Sequence, residues 1–163
     1  MYWQDKIKDN CPNSLLADKV IQAIQELFKH DAHLFEVNSS ERSITHQMAI
    51  YLISQFPDYN IDCEYNRDHY VPKTLRLPRS CTRSQSTDGS YVYPDIIVHI
   101  RGTPKNYLVI EIKKSTSNVC DTCDLKKLEA YINELKYDYG LFIRFYCNQS
   151  PDIQNVQWFV ENA

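Results

Sequence analysis

The sequence predicts an α/β domain in which helices flank a mixed central sheet, with the core order α-β-β-β-α-β. Three observations carry this. Residues 14–35, and a second stretch after Ser40, place apolar residues three or four apart, the period of a helix buried on one side. Two β-branched runs, 95–100 and 106–113, stand on either side of a Gly102-Thr103-Pro104-Lys105 turn. A further helical period over 121–136 separates these from another apolar run, 141–146.

In order along the chain, the first helix presents Leu15, Leu16, Val20, Ile21, Ile24, Leu27 and Phe28 on one stripe. Ser39 and Ser40 are good N-caps for the second, because a serine hydroxyl accepts from a free N–H of the first turn. That helix runs through Ile44, Met48 and Leu52 and ends near Phe56-Pro57. Residues 60–65 read as a short strand. Residues 66–90 change character: Pro72, Pro78, Gly89 and several Ser and Thr leave little apolar period, so a long loop is expected. The two strong strands follow, then a helix with Leu125, Leu128, Ile132 and Leu135 on one side. Gly140 precedes the next strand, and 156–160 reads as a last one.

A length of 163 residues fits one domain over 1–163, with an N-terminal helical extension at 1–38 and a core at 39–147. Lys and Arg number 18 against 21 Asp and Glu, giving a net charge of −3, so any contact with a polyanion has to use a local patch. No apolar run reaches membrane-spanning length. Met1-Tyr2-Trp3-Gln4-Asp5-Lys6 lacks the pattern of a secretory signal, and a cytoplasmic location is the expectation. In that compartment Cys11, Cys63, Cys81, Cys120, Cys123 and Cys147 are expected as thiols. Cys120 and Cys123 have C-x-x-C spacing, but a structural zinc needs two further ligands and no second pair supplies them.

The chemistry is carried by the strands. Side chains alternate faces, so Leu108, Ile110 and Ile112 share one side and Tyr107, Val109, Glu111 and Lys113 the other. A tight connection would bring Asp95, just after Pro94, alongside Glu111 and Lys113. Two carboxylates and an ammonium would then meet at one sheet edge, with the Ile112 carbonyl between the two side chains as a further ligand. Mg²⁺ prefers oxygen donors and takes one or two carboxylates while keeping waters. It can polarise a phosphoryl oxygen and acidify a bound water, while a lysine adds a point charge near the phosphate.

Pro94-Asp95, fifteen intervening residues, then Glu111-Ile112-Lys113 resembles the signature of the PD-(D/E)XK nuclease superfamily. The resemblance spans residues 40–146 and implies a restriction-endonuclease-like core. It implies that Asp95 and Glu111 bind Mg²⁺ or Mn²⁺, that Lys113 assists the water, and that an acid on the preceding helix, here Glu41, joins them. It also implies polar residues reaching the site from the helix after the signature, a place filled by Asp124, Lys127 and Tyr131 on one stripe. Glu134-Leu135-Lys136 has the same triplet form but falls on a helix.

Ordinary roles stand beside these. Asp95 could end a turn, and Glu111 with Lys113 could be a solvated pair; against this, Glu111 interrupts an apolar strand, where a lone carboxylate is costly to bury. Glu41 also suits a first helical turn. Asp62 and Glu64 are expected on the solvent side, and His46 and His99 as structural histidines. Arg67, Lys73, Arg76, Arg79 and Arg83 of the loop, set against Asp68 and Asp88, could grip a phosphate backbone with Lys127, and Tyr65 and Tyr70 could stack on bases. The expected function is thus a metal-dependent nuclease hydrolysing phosphodiester bonds in DNA, with nucleic acid as partner, no membrane, and a homodimer left open. The alternative is a catalytically inactive, nuclease-like nucleic-acid-binding or assembly module.

Overall fold

A computed structural model describes residues 1–82 and 89–161. Helices α1 (Trp3–Lys8), α2 (Ser14–His30), α3 (Ala32–Glu36) and α4 (Glu41–Gln55) precede strand β1 (Asn60–Cys63). Four two-residue strands follow: β2 (Arg67–Asp68), β3 (Val71–Pro72), β4 (Thr74–Leu75) and β5 (Ser90–Tyr91). The chain closes with β6 (Ile96–His99), β7 (Asn106–Lys114), α5 (Thr122–Leu135), β8 (Tyr139–Tyr146) and β9 (Asp152–Phe159). The main sheet has the order β1-β6-β7-β8-β9, and only β7 and β8 run parallel. A parallel pair needs a crossover, and α5 supplies it. From α4 to β8 the elements of the main sheet and its helices run α-β-β-β-α-β.

The alternation along β6 and β7 divides the core in two. Ile96, Val98, Leu108, Ile110 and Ile112 face α2 and α4, meeting Val20, Ile24, Ile44, Met48 and Leu52. Ile97, Val109 and Phe142 face the other way, under Leu128, Tyr131 and Ile132 of α5, Leu75 of the 66–90 excursion and Val92 just after it. Glu111 and Lys113 share parity with Val109 and so lie on the α5 side. Tyr107 breaks the pattern: it packs with Phe56, Tyr59 and Tyr139 on the opposite side, next to a register shift at Val98/His99. The chain ends are stitched together, with Lys6 Nζ donating to the Ile153 carbonyl (2.6 Å) and Trp158 Nε1 to that of Ile7 (2.9 Å).

Several sequence expectations are refined. The helix expected over 14–35 breaks at Asp31, whose carboxylate accepts from Gln47 Nε2 (3.1 Å) and the Tyr51 hydroxyl (2.5 Å) on α4. The second helix is capped by Ser40, which accepts from the Ser43 N–H at 3.2 Å. The described part of the excursion is more ordered than expected, since β2 pairs with β3 and β4 with β5; Arg83 and Asp88 lie outside the described residues. The last strand starts four residues earlier than its apolar run suggests. Cysteines are not all thiols: Cys81 and Cys123 are joined, tying the excursion to the first turn of α5, while Cys11, Cys63, Cys120 and Cys147 are free. Cys123 is therefore paired outside its C-x-x-C motif. No helix among the described residues is long and apolar enough to cross a membrane.

Candidate metal-binding carboxylate site

Pro94 has no N–H to offer a neighbouring strand. Its carbonyl accepts from the Glu64 N–H at 2.9 Å, and the chain bends at Asp95 before β6 begins. The Ile112 N–H, beyond the reach of β6, is taken by Asp95 Oδ2 at 2.7 Å. The Pro-Asp pair thus ends one ladder and clasps the peptide that links Glu111 to Lys113.

Glu111 is 3% exposed on β7. Its Oε1 has no hydrogen-bond partner among the described residues, and its Oε2 lies 3.9 Å from Lys127 Nζ. Lys127 also donates to Asp124 Oδ1 at 3.2 Å, and the Lys113 ammonium forms an ion pair with Asp124 Oδ2. Asp124 and Lys127, one helical turn apart on α5, therefore both reach the β7 residues. The Tyr131 hydroxyl, one turn further, is buried and has no hydrogen-bond partner among the described residues. From the opposite layer, Glu41 in the first turn of α4 accepts from the Lys114 N–H at 3.2 Å. Lys114 Nζ in turn donates to the Ser39 carbonyl (2.7 Å) and to Asn38 Oδ1 (3.0 Å), fixing the start of α4 against the end of β7.

The electrostatics follow from this packing. Burial pushes the Asp95 carboxyl up to about 6, opposed by the Ile112 N–H and Lys127, with Asp124 and Glu41 adding to the rise. Burial and the Asp95 charge hold Glu111 well above the usual carboxylate range. Burial works against the charge on Lys127, but Glu111, Asp124 and Asp95 together outweigh it and raise its pKa. The two acids are thus short of positive charge even with Lys127 beside them.

Among the described residues no three His, Cys, Asp or Glu side chains are gathered tightly enough to cage an ion alone. Mg²⁺ does not need such a cage, since one or two carboxylates and several waters suffice. The orphaned Glu111 oxygen, the mutually repelling acids and an all-oxygen donor set fit a hard divalent cation held by Asp95, Glu111 and the Ile112 carbonyl.

Other sequence candidates separate cleanly. Asp95, Glu111, Lys113, Glu41, Asp124, Lys127 and Tyr131 gather at one end of β7. Lys73 does not belong with a nucleic-acid surface: it is 1% exposed, donates to the Arg67 carbonyl and covers the Tyr65 ring. The excursion folds over its stem and leaves no free ammonium there. Tyr65 is likewise taken, packed on His99 at 4.9 Å, whereas Tyr70 is exposed. Arg67, Arg76 and Arg79 are exposed, and the Arg76 N–H is held by Glu134. Lys127 is half-buried between acids rather than displayed on the surface. Asp62 is not on the solvent side but bonded to His99 (2.7 Å) and Arg101. Glu64 pairs with Arg42 at 2.9 Å.

Sequence reading missed a cavity of about 380 Å³ on the α4 side of Asp95, lined also by Arg42, Thr45, His46, Cys63 and Glu64. Its signal was the polar stripe Arg42 and His46, four apart, beside Glu41. No family model, curated protein or solved structure matches the chain.

Proposed function

We propose that the chain is a metal-dependent nuclease that hydrolyses phosphodiester bonds in DNA and has a restriction-endonuclease-like core. The observation that carries this is the pair of under-neutralised acids, Asp95 and Glu111, delivered to one sheet end by neighbouring strands with lysines beside them. The α-β-β-β-α-β order and the Pro-Asp and Glu-Ile-Lys placement support the same reading.

Bound Mg²⁺ or Mn²⁺ would supply Lewis-acid polarisation of the phosphate and a water acidified for attack. Asp95, Glu111 and the Ile112 carbonyl would hold it. Asp95 keeps that carbonyl in place by clasping the Ile112 N–H, and Glu41 steadies the end of β7 through the Lys114 N–H. Lys113 Nζ, oriented by Asp124, offers N–H donors to the attacking water. Lys127 supplies a second cation for charge that builds on the phosphate.

The test is cleavage of single-stranded and duplex DNA with Mg²⁺ or Mn²⁺, and cutting of either form supports the reading. Wild-type chain is expected to cut, and Asp95→Ala to lose at least about 10²- to 10³-fold in rate, the scale of one transition-state-stabilising group. Equal cutting by the variant would overturn the assignment. A second reading, an inactive nucleic-acid-binding or assembly module, is favoured by the Lys113–Asp124 ion pair, which engages the lysine. On that reading wild-type chain binds DNA without cutting, and Lys113→Ala leaves the affinity unchanged.

A further inference from the structure

The stretch entering the carboxylate site has a regular alternation. Ser90, Val92 and Pro94 point inward, and Tyr91 and Tyr93 point out, 67% and 60% exposed. The inward residues are anchored. Val92 packs in the core beneath the excursion, its N–H donates to the Lys73 carbonyl (3.2 Å), and its own carbonyl accepts from Asn66 Nδ2 (2.7 Å). Tyr91 pairs with Thr74 across the β4–β5 ladder. The two rings therefore project from a fixed backbone.

Neither ring has a hydrogen bond, ring contact or cation contact among the described residues. Among the other tyrosines, Tyr51 is engaged with Asp31, Tyr59 with Tyr107, Tyr65 with His99, Tyr131 with Tyr137 and Tyr139 with Asn13, while Tyr2 and Tyr70 are exposed singly. A single exposed aromatic needs no explanation. Two on the same face of one extended segment, leading into Asp95, form a surface with a shape.

That shape selects a ligand. Residues i and i+2 of an extended chain stand roughly 6.6 Å apart. This is about twice the 3.4 Å rise per nucleotide of a stacked strand. The rings can each take a base, or hold one between them, only where the bases have come unstacked. Duplex bases have their faces covered by neighbours and cannot use such a platform, whereas unpaired bases stack on aromatic side chains with little regard to sequence. Tyr93 is two residues from Asp95, so the two Cα atoms can be no more than about 7 Å apart. Arg76, exposed immediately after β4, and Arg79 provide positive charge for the phosphates on the same excursion.

We propose that Tyr91 and Tyr93 form a stacking platform for unpaired bases, so that nucleic acid reaches the carboxylate site as a single strand rather than as continuous duplex. The second half of this statement rests on the nuclease reading; the first does not.

The experiment is binding in EDTA, read by fluorescence anisotropy, of a labelled 12-nucleotide DNA strand and of the same strand in duplex. Wild-type chain is expected to prefer the single strand. The double variant Tyr91→Ala/Tyr93→Ala should lose at least about thirty-fold in affinity for it, the lower range for losing base stacking on two rings, with duplex affinity within two-fold. Tyr91→Phe/Tyr93→Phe should keep the preference. A 2-aminopurine in the strand should be quenched by wild type and the Phe variant but not by the Ala variant. Matching melting curves check that these surface changes leave the fold intact. Unchanged single-strand affinity in the Ala variant, or wild-type affinity for duplex equal to that for the strand, overturns the platform. Ring-dependent binding by a chain that never cuts would leave the platform standing and remove the hydrolytic reading; cutting without ring dependence would do the reverse.

Discussion

Two acid clusters flank opposite ends of β6, and they are built in opposite ways. At the far end, Asp62 of β1 is largely buried, yet it accepts from His99 at 2.7 Å and from Arg101 through two nitrogens. Burial pushes its carboxyl up, but the Arg101 and His99 bonds outweigh that and hold it below the usual range. At the near end, Asp95 and Glu111 are pushed up by burial, and the neighbouring lysines do not restore the balance. The first cluster is satisfied by the protein itself. The second leaves a buried oxygen with no hydrogen-bond partner among the described residues and two acids that repel each other. A buried acid alone does not mark a site; a buried acid the fold leaves uncompensated does.

The largest stability effect should come from breaking the satisfied cluster. Asp62→Ala leaves His99 and Arg101 without their acceptor and should cost about 2–4 kcal/mol in urea unfolding at pH 7, somewhat under the range for fully buried pairs because Arg101 is half-exposed. Since the folded carboxyl sits below its unfolded value, this contribution is present above about pH 4 and disappears as pH falls through the depressed folded value. A loss under 1 kcal/mol would mean that the pairing only offsets its desolvation.

The unsatisfied cluster should respond with the opposite sign. Asp95→Asn keeps an oxygen for the Ile112 N–H and removes the charge. The wild-type carboxyl is raised in the folded state to about 6, so its protonated form favours folding below about pH 4, and that contribution is lost as pH rises through 6. Without metal, the variant should therefore be more stable than wild type by about 1–3 kcal/mol at pH 8 and equal to it at pH 4. Destabilisation at pH 8 would show that the acid is compensated after all. The smallest effect belongs to the solvent-facing Arg42–Glu64 pair beside the cavity, where Arg42→Ala should cost less than about 1 kcal/mol and less still in high salt.

How much of this was legible in the sequence depends on the kind of signal. The partition of β7 into two faces could be read from alternation, and Glu111 stood out because it interrupts an apolar run. Ser40 showed the start of α4 through its capping chemistry. The break at Asp31 could not be seen, because apolar residues continue on both sides and the cause is a tertiary bond to Tyr51. Lys73 looked like part of a basic loop, since composition does not reveal that its stem is buried and its ammonium rests on a carbonyl. Asp62 looked solvent-facing because its partner Arg101 lies beyond the end of β6, 39 residues away in sequence. The Cys81–Cys123 link joins residues 42 apart, and spacing alone cannot choose among six cysteines. Tyr91 and Tyr93 were legible in principle, as alternating aromatics directly before Pro94-Asp95.

The most direct measurement is Mn²⁺ binding by calorimetry to wild-type chain, Glu111→Gln and Asp62→Asn, at pH 7.5 and pH 5. Wild type and Asp62→Asn are expected to bind at least one ion per chain at pH 7.5, and more weakly at pH 5, because Asp95 and Glu111 must give up protons to bind it. Glu111→Gln should lose that ion. Binding that survives Glu111→Gln, or wild-type chain that takes up no ion at pH 7.5, would contradict the account.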